Sequence, residues 1–194
     1  DVVSAAIMAG ATSVDLEERG CYETAKVTAE DTELVKACDT INKWVSAQII
    51  YDWNGNKVVV DGDTIHEWIQ ADDKDPQLDE KAIAEFVSEQ AKEYDTYGKK
   101  RKFTTVQGIE LNLPSGAYGW KTDREEETKA LIEAIQNGET VDKEPVYISK
   151  GAQKGSNDIG NSYVEIDLTN QHLYLFKDGD IVLETDFVSG NMSK

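Results

Sequence analysis

The 194-residue sequence predicts an α+β protein, in which a domain of helices and antiparallel strands precedes the first strands of an all-β domain. Three observations lead to this prediction. Apolar residues recur with a helical period in three segments before residue 140, and an Asn-Gly dipeptide joins two strand-like runs. After residue 162 apolar and polar residues alternate, as in β-strands. The hydrophobic content of 39% is enough to build a core.

Residues 1–20 read as a short helix followed by a polar stretch, the remnant of a preceding segment or repeat. Thr28 and Asp31 then have the spacing of a capping box, which predicts the start of a helix. In this helix four apolar residues share one face, which predicts that they point inward: Leu34, Cys38, Ile41 and Val45.

The strongest local prediction is a β-hairpin at residues 48–60, because its turn dipeptide, Asn54-Gly55, tolerates two positive φ angles. Asp63 is expected to cap a short helix. A longer helix is expected from Leu78 or Asp79 to near residue 98, followed by strands at 103–106 and 109–113.

Thr122 or Asp123 is expected to begin a third helix, which Gly138 closes. Residues 144–148 read as an edge strand because they contain a proline. The segment 149–162 is rich in Gly, Asn and Ser and has no apolar period, so it is the predicted linker. Residues 163–194 then read as the start of a β-meander.

The charge of the chain narrows the range of partners. Thirty-eight acidic and 20 basic residues give a net charge of −18, which disfavours nucleic acid and anionic membrane surfaces. No metal or cofactor is expected, because the two cysteines form no Cys-x-x-Cys motif and the acidic run around Asp72, Asp73 and Asp75 lacks the spacing of a calcium loop. That run reads as a solvated loop.

Two groups of residues are candidates for ligand binding. The basic run Lys99, Lys100, Arg101 and Lys102 could contact the phosphates of a ligand, or it could be a charged connection between a helix and a strand. Aromatic side chains could stack on sugar rings or fill the core, and the candidates are Trp53, Trp68, Tyr118 and Trp120. Flanking glycines predict an exposed turn at Tyr118 and Trp120, which makes these two the foremost candidates.

Residues 163–190 resemble the opening strands of the YkuD-type L,D-transpeptidase catalytic domain, above all in the motifs Asp-Leu-Thr-Asn-Gln-His-Leu and Val-Ser-Gly-Asn. Upstream, the motifs Ile-Tyr-Asp, Tyr-Asp-Thr and Gly-Ala-Tyr-Gly-Trp resemble the peptidoglycan-binding domain that precedes the catalytic domain in Gram-positive wall enzymes. The resemblance implies a peptidoglycan-binding accessory domain at 21–148, a linker at 149–162, and the first strands of a truncated catalytic domain at 163–194.

The resemblance also implies a function. The parent protein would be a secreted, cell-wall cysteine L,D-transpeptidase that cross-links peptidoglycan, anchored to the membrane by a segment outside this chain. In that family the nucleophile is the cysteine of a Ser-His-Gly-Cys motif. These 194 residues contain no such motif, so no catalytic residue is assigned and the chain itself is expected to be inactive. The alternative is a rigid spacer or interaction module with no ligand of its own.

Two further expectations follow from the resemblance, one from the wall location and one from the truncation of the catalytic domain. Cys21 and Cys38 are expected to form a disulfide in an oxidising compartment, the alternative being a buried thiol at Cys38. The strands at 163–190 are expected to expose an apolar face and unpaired edges. The outcome would be either disorder after about residue 162 or self-association through these strands.

Overall fold

The computed structural model describes residues 2–23, 31–70 and 74–190. Five helices are present in these ranges: α1 Val2–Met8, α2 Thr32–Val45, α3 Gly62–His66, α4 Glu80–Tyr94 and α5 Arg124–Asn137. The same ranges contain twelve strands: β1 Gln48–Trp53, β2 Asn56–Val60, β3 Ile69–Gln70, β4 Gln77–Leu78, β5 Arg101–Thr104, β6 Glu110–Leu113, β7 Lys121–Thr122, β8 Thr140–Lys143, β9 Tyr147–Ser149, β10 Tyr163–Asp167, β11 His172–Lys177 and β12 Asp180–Asp186. The predicted α+β class is confirmed. None of the helices in the described ranges is both long and apolar enough to cross a membrane.

The core of the protein lies around a three-stranded sheet of order β2-β1-β8. β1 pairs with β2 antiparallel and with β8 parallel. Helices α2 and α4 both pack on α5. The largest side chains that are fully buried here come from the sheet and from helices α3, α4 and α5: Trp53, Tyr51, Ile49, Ile65, Ile83, Leu131 and Ile135. Sequence reasoning missed β8, which is four residues long and alternates between exposed and half-buried positions.

The hairpin predicted at 48–60 is confirmed. Asn54 and Gly55 take positive φ angles of 52° and 86°, as a two-residue turn between twisted strands requires. The buried apolar stripe of α4, which includes Ile83 and Val87, is also confirmed.

The helix ends correct three of the expectations. Thr28 lies outside the described residues, and the N-cap of α2 is Asp31, whose carboxylate accepts from the amide of Leu34 over 3.2 Å. Asp61, not Asp63, caps α3. The helix expected to run to near residue 98 ends at Tyr94, because Asp95 has an extended backbone. The boundaries of α5 agree with the expectation, since Asp123 caps it and Gly138 ends it in a left-handed conformation.

The inner face of α2 differs from the predicted one. Ala37 and Trp44 are the buried residues of this helix, whereas Cys38 is exposed. Consecutive helical residues lie about 100° apart, so the contact that buries Ala37 turns Cys38 away from the core. The prediction that Cys38 points inward is wrong.

Residues 163–186 form a separate antiparallel sheet of order β10-β11-β12. Val164, Leu175 and Leu183 lie opposite one another across its three strands, so their side chains share one face. Val164 and Leu183 are each 51% exposed. The expected uncovered apolar face is confirmed, and within the structure these residues are ordered as strands.

Candidate functional site

The basic run and the aromatic turn that the sequence singled out lie side by side. Two backbone amides at the end of α4, those of Thr96 and Tyr97, donate to the carbonyl of Trp120 over 3.0 Å each. The guanidinium carbon of Arg101 lies 5.3 Å from the ring centre of Tyr118. The turn before β7 and the start of β5 therefore form one cluster.

Asp158 is the centre of this cluster, and its side chain is fully buried. Arg101 binds it in a fork, with Nε 2.6 Å from Oδ1 and Nη2 2.7 Å from Oδ2. Thr96 donates its hydroxyl to the same carboxylate. Burial by itself raises the pKa of Asp158, but the hydrogen bonds from Arg101 and Thr96 outweigh it and the net pKa is lowered. The same hydrogen bond raises the pKa of Arg101.

Tyr118 and Trp120 use their polar atoms inside the protein. The hydroxyl of Tyr118 donates to the backbone oxygen of Asp158 over 2.9 Å and accepts from the amide of Ala152 over 2.8 Å. Trp120 Nε1 donates to the carbonyl of Gln153 over 2.8 Å. Tyr118 is 40% exposed, as predicted, but Trp120 is only 4% exposed. The expectation of an exposed Trp120 is wrong, because its indole fills the space beneath residues 150–153.

The other candidate aromatics are core residues. Trp53 is fully buried and Trp68 is 7% exposed, and both belong to the main hydrophobic cluster. These two side chains therefore fill the core and are not exposed for stacking on a sugar ring.

The basic residues differ in whether their charged groups are already bonded within the protein. Arg101 is 9% exposed at its side chain and is bound to Asp158. Lys99 Nζ donates to the carbonyls of Lys92 and Glu93, at the C-terminal end of α4, over 3.3 and 3.2 Å. Lys100 is exposed and has no side-chain bond to another described residue. It lines a polar cleft of about 390 Å³ together with Asn56, Glu93 and Ser156.

The cysteines do not pair in this structure. Cys21 and Cys38 are both free thiols and both are exposed. The disulfide stays a prediction, and one of its premises, the inward position of Cys38, does not hold. Among the described residues no group of three His, Cys, Asp or Glu side chains could hold a metal ion. Asp72 and Asp73 of the predicted acidic loop lie outside those residues.

Asp158 is the residue that sequence reasoning missed. It lies within the segment predicted as a linker, and a single Asp among glycines, asparagines and serines carries no signal of burial. Its partner Arg101 was noted only as part of a basic run.

Comparison with known protein families shows what the chain is similar to. Residues 26–143, more than half of the chain, match the family described as "Putative peptidoglycan binding domain". The chain belongs to this family. Tyr118, Trp120 and Arg101 all lie inside the matched range, whereas Asp158 lies beyond it.

Two solved structures are similar over a longer part of the chain. One is the carbamoyl enzyme that Ldtfm forms with avibactam, with 29% identity and a TM-score of 0.62 over 82% of this chain and 63% of that one. The other is a cysteine-to-serine mutant of the Enterococcus faecium L,D-transpeptidase, with 28% identity and a TM-score of 0.60 over 81% of this chain and 63% of that one. The chain thus spans under two thirds of these relatives. A search of curated proteins gave no match.

These findings confirm the resemblance to L,D-transpeptidases with a preceding peptidoglycan-binding region. The similarity to the solved structures covers 82% of the chain, which is more residues than the family match contains. It therefore extends beyond the peptidoglycan-binding domain.

Proposed function

We propose that this chain is the accessory, peptidoglycan-binding region and the first catalytic-domain strands of a secreted L,D-transpeptidase that cross-links peptidoglycan in a Gram-positive cell wall. The proposal rests on how far along the chain the family match and the similarity to transpeptidase structures each extend. The family match ends at residue 143, and the similarity to transpeptidase structures continues past it. Both parts would act outside the cell, and the parent protein would be anchored to the membrane.

The surface that would contact peptidoglycan lies at the exposed side of the Asp158 cluster, where Tyr118 reaches the solvent. The Tyr118 ring is 40% exposed and can stack on a sugar. Lys100 lies at the edge of the adjoining polar cleft, and its ammonium has no bonded partner in the part of the chain that the structure describes. Lys99 lies beside it. Arg101 and Trp120 lie beneath this surface. Their polar atoms are hydrogen-bonded to Asp158 and Gln153, so these two side chains position the surface.

Sedimentation with purified sacculi tests this function. We expect the 194-residue chain to sediment with the sacculi, and Lys100→Ala to bind several-fold more weakly. Lys43→Ala is the matched control, since Lys43 is also exposed but lies in α2, which contributes no residue to the lining of the cleft. Sacculi stripped of phosphate polymers by acid distinguish binding to phosphate from binding to glycan or peptide. Sedimentation no better than that of an unrelated acidic protein would refute the binding function.

The second candidate function is that of a rigid spacer. The polar groups of the cluster favour this function, because they form hydrogen bonds within the protein itself. These groups are the Arg101 guanidinium, the Tyr118 hydroxyl and the Trp120 indole nitrogen. A spacer would remain in the supernatant when the sacculi sediment, and it would still hold the following strands in position. The same sedimentation experiment therefore separates the two functions.

A further inference from the structure

The hairpin β5–β6 contacts two parts of the protein. One part is formed by helices α2–α5 and the β2-β1-β8 sheet and is called the helical domain below; the other is the β10–β12 sheet. Its first residue, Arg101, lies in the Asp158 cluster. Its turn, between residues 104 and 110, reaches β10. The hairpin therefore spans the connection made by residues 150–162, which are called the connecting segment below.

At the first end of the hairpin, Arg101 is held by four groups. Besides the fork to Asp158, Nη1 donates to the carbonyl of Lys99 over 2.9 Å. Nη2 also donates to the carbonyls of Tyr118 and Thr96, over 3.0 and 3.1 Å. A planar guanidinium with this many partners has one position. The start of the hairpin is therefore fixed on the helical domain.

At the other end, the turn of the hairpin holds β10. The amide of Val106 donates to both carboxylate oxygens of Glu165, over 3.0 and 3.2 Å. Gln107 Nε2 donates to Asp167 Oδ2 over 3.0 Å. The side chains of Phe103 and Tyr163 also meet edge to face, with ring centres 5.4 Å apart.

The connecting segment is bound to the same cluster. The amides of Ala152 and Gln153 donate to the backbone oxygen of Asp158, over 2.9 and 3.3 Å. Gly151 lets this loop approach closely, since a Cβ there would lie 2.8 Å from both the Cβ of Asp158 and the Nε1 of Trp120. The segment is composed like a flexible linker, yet it lies against Trp120 as a folded loop.

We infer that the β5–β6 hairpin and the Asp158 cluster form an orientation lock, which holds the β10–β12 sheet in a single position relative to the helical domain. A single attachment would let the sheet rotate about the connecting segment. Attachments at both ends of one hairpin, together with a bound connecting segment, remove that rotation. Asp158 is the key residue of the lock because Arg101, Thr96 and Tyr118 all bind it. The inference does not depend on peptidoglycan binding.

Tryptic cleavage of the connecting segment tests the lock, since it contains Lys150 and Lys154. In the 194-residue chain we expect Asp158→Asn to raise the rate of cleavage at these two lysines roughly tenfold or more, because local opening controls cleavage. Cleavage within α4 and α5 should stay slow. The matched control is Asp180→Asn, which makes the same change at an exposed residue of β12. Equal rates at Lys150 and Lys154 in both variants would overturn the inference.

If Asp158→Asn unfolds the whole domain, hydrogen exchange of the unaltered chain tests the orientation lock instead. The amides of Ala152 and Gln153 should be protected as strongly as those of β1, because they are bound to Asp158 in the lock. Val106, at the other end of the hairpin, should be protected as well. Exchange of these three amides at the rate of an unstructured loop would show that no lock exists.

Discussion

The hydroxyl of Tyr51 donates to Oε1 of Glu127 over 2.5 Å, and both side chains are buried. This contact joins the central strand β1 to the first turn of α5. Two further groups complete the site, as Lys143 Nζ lies 3.1 Å from Oε1 and the amide of Val146 donates to Oε2 over 2.7 Å. Burial, and next the negative charge of Glu127, raise the pKa of Tyr51. The buried carboxylate thus ties together β1, α5, β8 and the chain after β8.

Removing the Tyr51 hydroxyl should destabilise the protein. Tyr51→Phe takes one donor from the buried Glu127 carboxylate, and we expect a loss of about 1–3 kcal/mol in the free energy of unfolding by urea. Tyr97→Phe is the control, because Tyr97 is 37% exposed and meets Lys121 through its ring. The control should change stability by less than about 0.5 kcal/mol. A Tyr51→Phe variant as stable as the control would contradict this account of Glu127.

The Asp158 cluster should lose its contribution to stability in acid. The pKa of Asp158 is lowered in the folded state, so its stabilising effect is complete above the ordinary value of 3.8 and is lost as the pH falls through the lower folded value. Asp158→Asn has no such titration. The difference in urea midpoint between the two proteins should therefore be constant from about pH 7 to about pH 5 and shrink below about pH 4. A difference that stays constant down to about pH 2 would contradict the assignment.

The exposed face of the β10–β12 sheet should cause self-association. Val164 and Leu183 lie on one uncovered face, and β12 has an unpaired edge within the described residues. We expect light scattering after size exclusion to show a mass that rises with concentration, and Leu183→Lys to restore the monomer. Val59→Lys serves as the control, since Val59 is 39% exposed but lies on β2. If the unaltered chain is a monomer at every concentration, this face does not associate.

The 194-residue chain should have no transpeptidase activity. A cysteine nucleophile needs a general base within hydrogen-bond reach. The thiol of Cys21 contacts only the carbonyl of Arg19 among the described residues, and Cys38 has no side-chain bond there. A muropeptide with a tetrapeptide stem should remain unchanged by chromatography after incubation. Turnover that disappears in Cys21→Ser or Cys38→Ser would identify a nucleophile that the structure does not reveal.

Local signals explain which elements the sequence predicted well. The Asn54-Gly55 turn, the N-cap Asp123 and the C-terminal Gly138 each depend on the conformation of one or two residues, and all three are found where they were expected. The parallel strand β8 was missed because its pairing with β1 joins residues about 90 positions apart, and no local pattern reports such a partner.

By itself, the sequence determined the α+β class, the hairpin, the two long helices after it and the meander after residue 162. It also carried the family motifs, since these are contiguous residues. Only the tertiary structure decided which charged side chains are buried. Arg101 lies in a run of four basic residues, and Asp158 in a segment of linker composition, yet these two form the most buried ion pair of the cluster. Burial depends on what packs over a residue from distant parts of the chain, in this case the loops at 96, 118 and 152, and composition alone cannot show that.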